Sequence, residues 1–366
     1  MSAMLIKSSL EIIIGIITLF LGGEFFVQGS ATLAIILGIP QLVIGLTVVS
    51  LGTSAPELFV SVGSFFKGSD AIAVGNVVGS NIFNVLVVLG SSALIVPLKV
   101  ESRLVKRDVP VLLAVSVAVW GMASSGNFTW QSGLALLVAL GINTIWEIRT
   151  AREEPQGIKD AEPVIYIKSE SKKWLIATGK IIIGIIILGF GSNLLINGAK
   201  SLANSYEWSE TLIGLTIISA GTSMPELITS LVASLRGKTD LAIGNVVGSS
   251  LLNQLLVLGS CALFSGSKGL VVEEILIQRD FPIMILSVLA CMPIFWTKGK
   301  ISRSEGVILL ILYILYLLDQ IIPYSVPIFQ AKFRFISLVI VLPIILILVM
   351  FKTANYWRNL RKANFL

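Results

Sequence analysis

Apolar residues occur in long tracts along the whole chain, near 9–27, 38–65, 71–96, 109–123 and 130–146, and again near 174–197, 209–234, 241–264, 281–296 and 304–318. A last tract covers about 333–351. A helix of about 20 apolar residues crosses the roughly 30 Å hydrocarbon core of a bilayer. A transmembrane barrel would instead show alternation over strands of about ten residues, a pattern missing here. Lipid offers the backbone no hydrogen-bond partner, so each tract is predicted to be a helix that satisfies its own peptide groups. The chain therefore reads as an all-α polytopic membrane protein: two sets of five helices and an eleventh at the C-terminal end.

Polar positions inside the tracts are not scattered. In the second tract Ser50, Ser54, Glu57, Ser61 and Ser64 recur at spacings of four, three, four and three, which lines one helix face. Ser219, Ser223, Glu226, Ser230 and Ser234 repeat the stripe, its last member displaced by one residue. In the third tract Asn76, Ser80 and Asn84 recur every four residues, as do Asn245, Ser249 and Asn253. Pro56 and Pro225, with Gly52 and Gly221 close by, predict a break or kink that releases carbonyls near Ser50 and Ser219. Hydroxyls bonding back to a kinked helix and small-residue packing are the plainer reading of such positions. They do not account for two carboxylates at membrane depth, which by default mark function.

The two stripes belong to an internal repeat. At an offset of 169 residues, Gly45–Gly90 and Gly214–Gly259 share 24 of 46 positions, and Gly15, Gly22 and Gly29 fall on Gly184, Gly191 and Gly198. Each copy has five predicted spans, and an odd number inserts the second copy upside down. Corresponding residues then approach the midplane from opposite sides and enclose one central site. The expected organisation is a first repeat over 1–146, a cytoplasmic linker over 147–173, a second repeat over 174–319, and an extra span with a basic tail over 320–366. Two copies merely packed side by side would preserve glycines but have little use for paired acids.

Composition and charge narrow the setting. Hydrophobic residues make up 55% and charged ones 13%, too apolar for a soluble body behind a signal peptide. With the N-terminus outside, twenty Lys and Arg fall in inward connections and the tail and seven in outward ones. That orients the linker and C-terminus to the cytoplasm and explains the net charge of +6 without nucleic acid. Cys261 and Cys291 read as buried thiols, and with no histidine the chain has no imidazole chemistry. The glycine-bearing motifs match neither a P-loop nor a dinucleotide fingerprint, so no enzymatic phosphate chemistry is expected. What remains is oxygen: carboxylates, hydroxyls, amides and carbonyls, the ligands of hard cations, of which Ca²⁺ accepts about six to eight at flexible geometry. Glu57 and Glu226 together neutralise one divalent ion. Na⁺ ions can use subsets of the same oxygens, and a proton can replace an ion on a carboxylate.

GTSAPEL at Gly52–Leu58 with GNVVGSNIFN at Gly75–Asn84, and GTSMPEL at Gly221–Leu227 with GNVVGSSLLN at Gly244–Asn253, closely resemble the paired signatures of the cation/Ca²⁺ exchanger superfamily, its sodium/calcium exchanger branch in particular. The resemblance covers about residues 9–319. It implies inverted halves and exchange of Ca²⁺ for several Na⁺ by alternating access, with the first and sixth spans sliding over the rest and the six repeated glycines as contact points. The family's acidic ligands fall on Glu57 and Glu226, its hydroxyls on Thr53, Ser54, Ser80, Thr222, Ser223 and Ser249, its amide or acid positions on Asn84 and Asn253, and its carbonyls at Ser50 and Ser219. Some relatives carry aspartate where Asn84 or Asn253 stands, and the two asparagines argue against K⁺ dependence. The large Ca²⁺-sensing insertion of animal exchangers is absent, and the eleventh span lies outside the common core. The expected function is Na⁺/Ca²⁺ antiport without a cofactor, in a prokaryotic inner (plasma) membrane, by a monomer that holds the complete site. H⁺/Ca²⁺ antiport is the nearest alternative, and a Ca²⁺-permeable channel a more distant one.

Overall fold

A chain without water around it closes its hydrogen bonds along itself, and the computed structural model is helical almost throughout the residues it describes, 2–36, 50–100, 104–153, 171–237, 239–298 and 300–337. In order these are α1 (Ser2–Ile36), α2 (Ser50–Thr53), α3 (Ala55–Phe66), α4 (Asp70–Phe83), which runs through a π turn at Asn84–Val88 into α5 (Leu89–Ile95), and α6 (Val109–Ala123). Then come α7 (Trp130–Glu153), α8 (Ser171–Tyr206), α9 (Glu210–Thr222), α10 (Met224–Leu235), and α11 (Thr239–Leu252), which runs through a π turn at Asn253–Leu258 into α12 (Gly259–Phe264). α13 (Phe281–Lys298), α14 (Arg303–Ser325) and α15 (Gln330–Ile336) complete the described chain. The ten spans expected in the repeats are helical over their described residues except at the turns of Ser54 and Ser223 and the end positions Val96 and Ser209. The eleventh lies largely outside them, with only its start in α15. Among the described residues five helices are long and apolar enough to span a bilayer unaided, and α9 with α10, bent by 43°, makes a sixth.

α1 and α8 outrun their apolar tracts. At 35 and 36 residues they are each about 50 Å long at a rise of ~1.5 Å per residue. Apolarity sets only the length buried in lipid, and polar ends prolong the helix, as where Lys7 reaches Glu11 one turn on at 3.8 Å.

The chain divides into two compact units, Met1–Ser80 with Met122–Pro225 and Leu251–Glu274, and Asn81–Gly121 with Glu226–Ser250 and Ile275–Leu366. Each unit takes segments from both repeats, so the repeat is not itself the packing unit.

In the first unit α1 lies antiparallel along α8. A Cβ added to Gly15 would sit 2.7 Å from Leu195 N and 3.1 Å from Gly191 O, and one added to Gly184 would sit 2.7 Å from Phe26 N and 3.0 Å from Gly22 O. Backbones this close tolerate only hydrogen at those positions. The contacts pair Gly15 with Gly191 and Gly22 with Gly184, and the repeat offset converts one pair into the other, as an inverted two-fold requires. Leu19, Val60, Leu188, Leu195 and Ile196 fill the core beside the seam. Ser192 Oγ donates to Phe59 O at 3.0 Å, joining α8 to α3. At one end of α8, Lys67 Nζ donates to Asn197 Oδ1 at 2.9 Å, and Lys200 pairs with Glu210 at 3.2 Å. Burial, and then the Lys200 ammonium, hold the Lys67 amine below the ordinary lysine range. β2 (Asn127–Phe128) pairs antiparallel with β3 (Leu270–Val271), joining the start of α7 to the segment after α12.

The second unit contains the image of that joint, β1 (Leu98–Lys99) paired with β4 (Lys300–Ile301), which joins the segment after α5 to the start of α14. Helix contacts repeat in the same way. A Cβ on Gly306 of α14 would lie 2.6 Å from Gly90 O of α5, while in the first unit one on Gly133 of α7 would lie 2.7 Å from Gly259 O of α12. Asp280, fully buried, accepts from Arg279 Nε at 3.1 Å, Gln320 Nε2 at 2.9 Å and Tyr316 Oη at 3.2 Å, which satisfies the carboxylate by protein donors alone. Arg334 Nε bonds Asp319 at 2.7 Å and anchors α15 on α14.

Candidate functional site

The proline in GTSAPEL does not kink a continuous helix. The helix stops at Thr53, turns at Ser54 and restarts at Ala55, so Pro56 falls in a first turn, where a missing N–H goes unnoticed. Glu57 then sits in that first turn, where unbonded amides and the helix dipole favour a negative charge. The same break at Ser223 puts Glu226 in the first turn of α10.

Around Glu57, in the first unit, oxygens of both repeats meet. Glu57 is wholly buried, and its Oε1 accepts a hydrogen bond from Ser223 Oγ at 2.8 Å. Asn76 Nδ2 donates to Ser61 Oγ at 2.9 Å and to the Glu57 carbonyl at 3.4 Å. Thr222 Oγ1 lies within donating reach of two acceptors, Asn76 Oδ1 at 3.1 Å and Ser219 O at 3.3 Å. Ser80 Oγ lies 3.5 Å from both Ser219 O and Thr222 Oγ1. The approach that allows this depends on Gly79, where a Cβ would lie 2.5 Å from Leu215 O. Residues 57, 76 and 80 belong to one copy and 219, 222 and 223 to the other.

The sequence expectation of released carbonyls takes a particular form here. The helical bond that Pro225 cannot make is the one to Gly221 O, four residues back. Ser219 O accepts from Ser223 N at 3.0 Å, and its second lone pair is open to a cation when Thr222 Oγ1, 3.3 Å away, gives its one proton to Asn76 Oδ1 instead. Ser50 opens the described part of α2, Thr53 ends it, and Ser54 is buried at the turn.

The sequence matches the family described as sodium/calcium exchanger protein over residues 7–149 and 176–322. The chain belongs to the sodium/calcium exchanger family. The inner membrane protein YrbG of Escherichia coli is 31% identical over 84% of this exchanger and 94% of its own length. The sodium/calcium exchanger MaX1 of Methanosarcina acetivorans is 29% identical over 86% of this chain and 98% of its own. Among solved structures, the sodium-calcium exchanger NCX_Mj superposes with a TM-score of 0.58 at 30% identity, covering 86% of this chain and 98% of that one. This exchanger is therefore an integral membrane antiporter of Na⁺ and Ca²⁺ with inverted repeats and an alternating-access fold, and not an enzyme.

In the second unit of the exchanger, Glu226 is wholly buried and the geometry at Asn76 recurs. Asn245 Nδ2 donates to Ser230 Oγ at 3.0 Å and to the Glu226 carbonyl at 3.3 Å. Asn84 and Asn253 each open a π turn, a distortion frequent at functional sites. The turn at Asn253 packs on α3 and α7, and the one at Asn84 on α13 and α14. Among the described residues, both amide atoms of Asn84 and of Asn253 and the Ser249 hydroxyl are buried without a hydrogen-bond partner. Leaving such a group unsatisfied costs about 1–3 kcal/mol, so these atoms suit a ligand that supplies the missing interaction.

No three acids, cysteines or histidines gather among the described residues. The candidate ligands are thus single carboxylates surrounded by neutral oxygens, a set that suits Ca²⁺ and Na⁺ better than a soft transition metal. Sequence reasoning placed Asn76 and Asn245 on a cavity face without seeing that their amides reach back to the acids. The available signal was the recurrence of Ser61 and Ser230 four residues after each glutamate.

Proposed function

We propose that Glu57 and Glu226 are the anionic ligands of the transported Ca²⁺, assisted by the hydroxyls of Thr53, Ser54, Ser80, Thr222, Ser223 and Ser249, the amides of Asn84 and Asn253, and the carbonyls of Ser50 and Ser219. The observation that carries this reading is the bond from Ser223 to Glu57, a hydroxyl of one repeat held at 2.8 Å from the acid of the other. Two carboxylates match the charge of one Ca²⁺, and several Na⁺ ions can occupy subsets of the same oxygens. Binding one cargo or the other, but not both, is what couples the two fluxes.

If three Na⁺ exchange for one Ca²⁺, each cycle moves one net positive charge, worth about 2.3 kcal/mol per 100 mV. Reversal potentials measured in proteoliposomes across set Na⁺ and Ca²⁺ gradients are then expected to shift with voltage as a one-charge cycle requires. A voltage-independent balance rejects that stoichiometry. Ca²⁺ uptake driven by a pH gradient without Na⁺ would instead favour H⁺ coupling, and flux without any counter-ion a channel.

The same reading places the N-terminus outside and the linker and C-terminus in the cytoplasm, with repeats over 1–146 and 174–319 joined by 147–173 and followed by 320–366. The basic residues of the inward connections support it. Cys261 and Cys291 are buried, so introduced cysteines report without background. Lys268→Cys is expected to react with an impermeant maleimide on intact cells, and Arg303→Cys only after permeabilisation. The reverse pattern would invert the topology.

A further inference from the structure

We propose that Asn76 and Asn245 are positioning residues that aim the two acids at the transported ion. The inference rests on the reading of Glu57 and Glu226 as its ligands. Each asparagine amide bridges two points on one half-helix, the acid's own carbonyl and the serine four residues on. The distances are 3.4 and 2.9 Å at Asn76, and 3.3 and 3.0 Å at Asn245. The arrangement is thus made twice, independently, in the two copies of the repeat.

The bridged carbonyl gives the contact its meaning. Because each helix restarts just before its glutamate, the amides of its first turn lack the intrahelical bonds that later amides make. A side-chain anchor from the neighbouring helix at the glutamate itself sets the rotation of that turn, and with it the direction of the carboxylate. A carboxylate misplaced by a fraction of an ångström loses much of its attraction for a partly dehydrated cation while the helix remains folded.

The orientation of the Asn76 amide follows from its partners. A backbone carbonyl can only accept, so Nδ2 faces Glu57 O, and Oδ1 faces Thr222. Thr222 Oγ1 must then donate to Asn76 or to Ser219 O. The shorter bond, to Asn76 Oδ1 at 3.1 Å, points its proton at protein and leaves an oxygen lone pair for a cation. Asn76 therefore orients a hydroxyl of one repeat and the acid of the other together. Its own oxygen is engaged by Thr222, so it acts through its neighbours and is not itself a ligand.

Uptake of labelled Ca²⁺ into Na⁺-loaded proteoliposomes separates positioning from mere packing. Asn76→Ala is expected to raise the Ca²⁺ concentration for half-maximal uptake about tenfold, or ~1.4 kcal/mol, with the maximal rate reduced less than about threefold. In a cycle with Ser61→Ala, at a serine that the Asn76 amide reaches at 2.9 Å and that is not a proposed ligand, the second substitution is expected to add less than about a further twofold, because both remove the same link. Half-saturation within about twofold of the original protein overturns the proposal. So does a loss of maximal rate and thermal stability at unchanged half-saturation, or effects that simply multiply in the cycle. If Asn76→Ala does not fold, Ser61→Ala and Asn245→Ala put the same question to one bond and to the other repeat. Glu57→Gln in the same vesicles keeps the two readings apart. Undiminished uptake there removes the ligand assignment, whereas lost uptake with a normal Asn76→Ala protein removes only the positioning role.

Discussion

Na⁺-dependent Ca²⁺ uptake by the Glu57→Gln protein is expected to fall at least about 100-fold at micromolar Ca²⁺, with the protein still folded. Glutamine has the shape of glutamate and keeps an oxygen for Ser223, whose Oγ donates to Glu57 Oε1 at 2.8 Å. The substitution therefore removes a charge and little else. Taking one charged partner from a buried, dehydrated pair costs about 2–5 kcal/mol, and each ~1.4 kcal/mol is a factor of ten in binding. The check is uptake into Na⁺-loaded vesicles alongside thermal unfolding in detergent. Unchanged unfolding with lost uptake ties activity to the carboxylate, and uptake that persists requires another principal ligand. Ser223→Ala removes one hydrogen bond and one neutral oxygen but leaves the charge, so its expected loss is about tenfold or less.

The second large effect concerns the glycine seam. Gly15→Val is expected to destabilise the protein by about 1–3 kcal/mol and to depress turnover further, since α1 and α8 must separate where a Cβ would lie 2.7 Å from Leu195 N. The pairing can be tested by combining substitutions. Gly15 and Gly191 share one contact, so Gly191→Val is expected to add little once Gly15→Val has opened it. Gly15 and Gly184, counterparts in the repeat, lie at different contacts, so Gly15→Val with Gly184→Val is expected to be close to additive. Thermal unfolding of the singles and the two doubles decides the matter. Additivity of Gly15 with Gly191 would contradict the packing described for α1 and α8.

Much of this was visible in the residues. The helices of the two repeats follow from apolar tracts that only helices can carry through lipid, and the duplication with its parity implies inversion. The acids, hydroxyls and amides stood out as polar groups at helical spacing where hydrocarbon was expected. The breaks at Pro56 and Pro225 were also legible, though not their form. The chain stops and restarts, which turns each proline into a first-turn residue and puts each acid at a helix start. Nothing local signals the π turns at Asn84 and Asn253.

By itself, then, the sequence determined the solvent, the helical class and the inversion of the repeats, and the kind of atom available to a cation, because each follows from residue type and spacing along one chain. Only the tertiary structure decided which groups touch: Ser223 on Glu57, Thr222 on Asn76, Gly15 against Gly191, each pair more than a hundred residues apart. Such contacts depend on how closely helix backbones approach and how each helix is turned about its axis. Packing fixes both, through the small residues that permit approach and the hydrogen bonds that must be completed where no water can complete them.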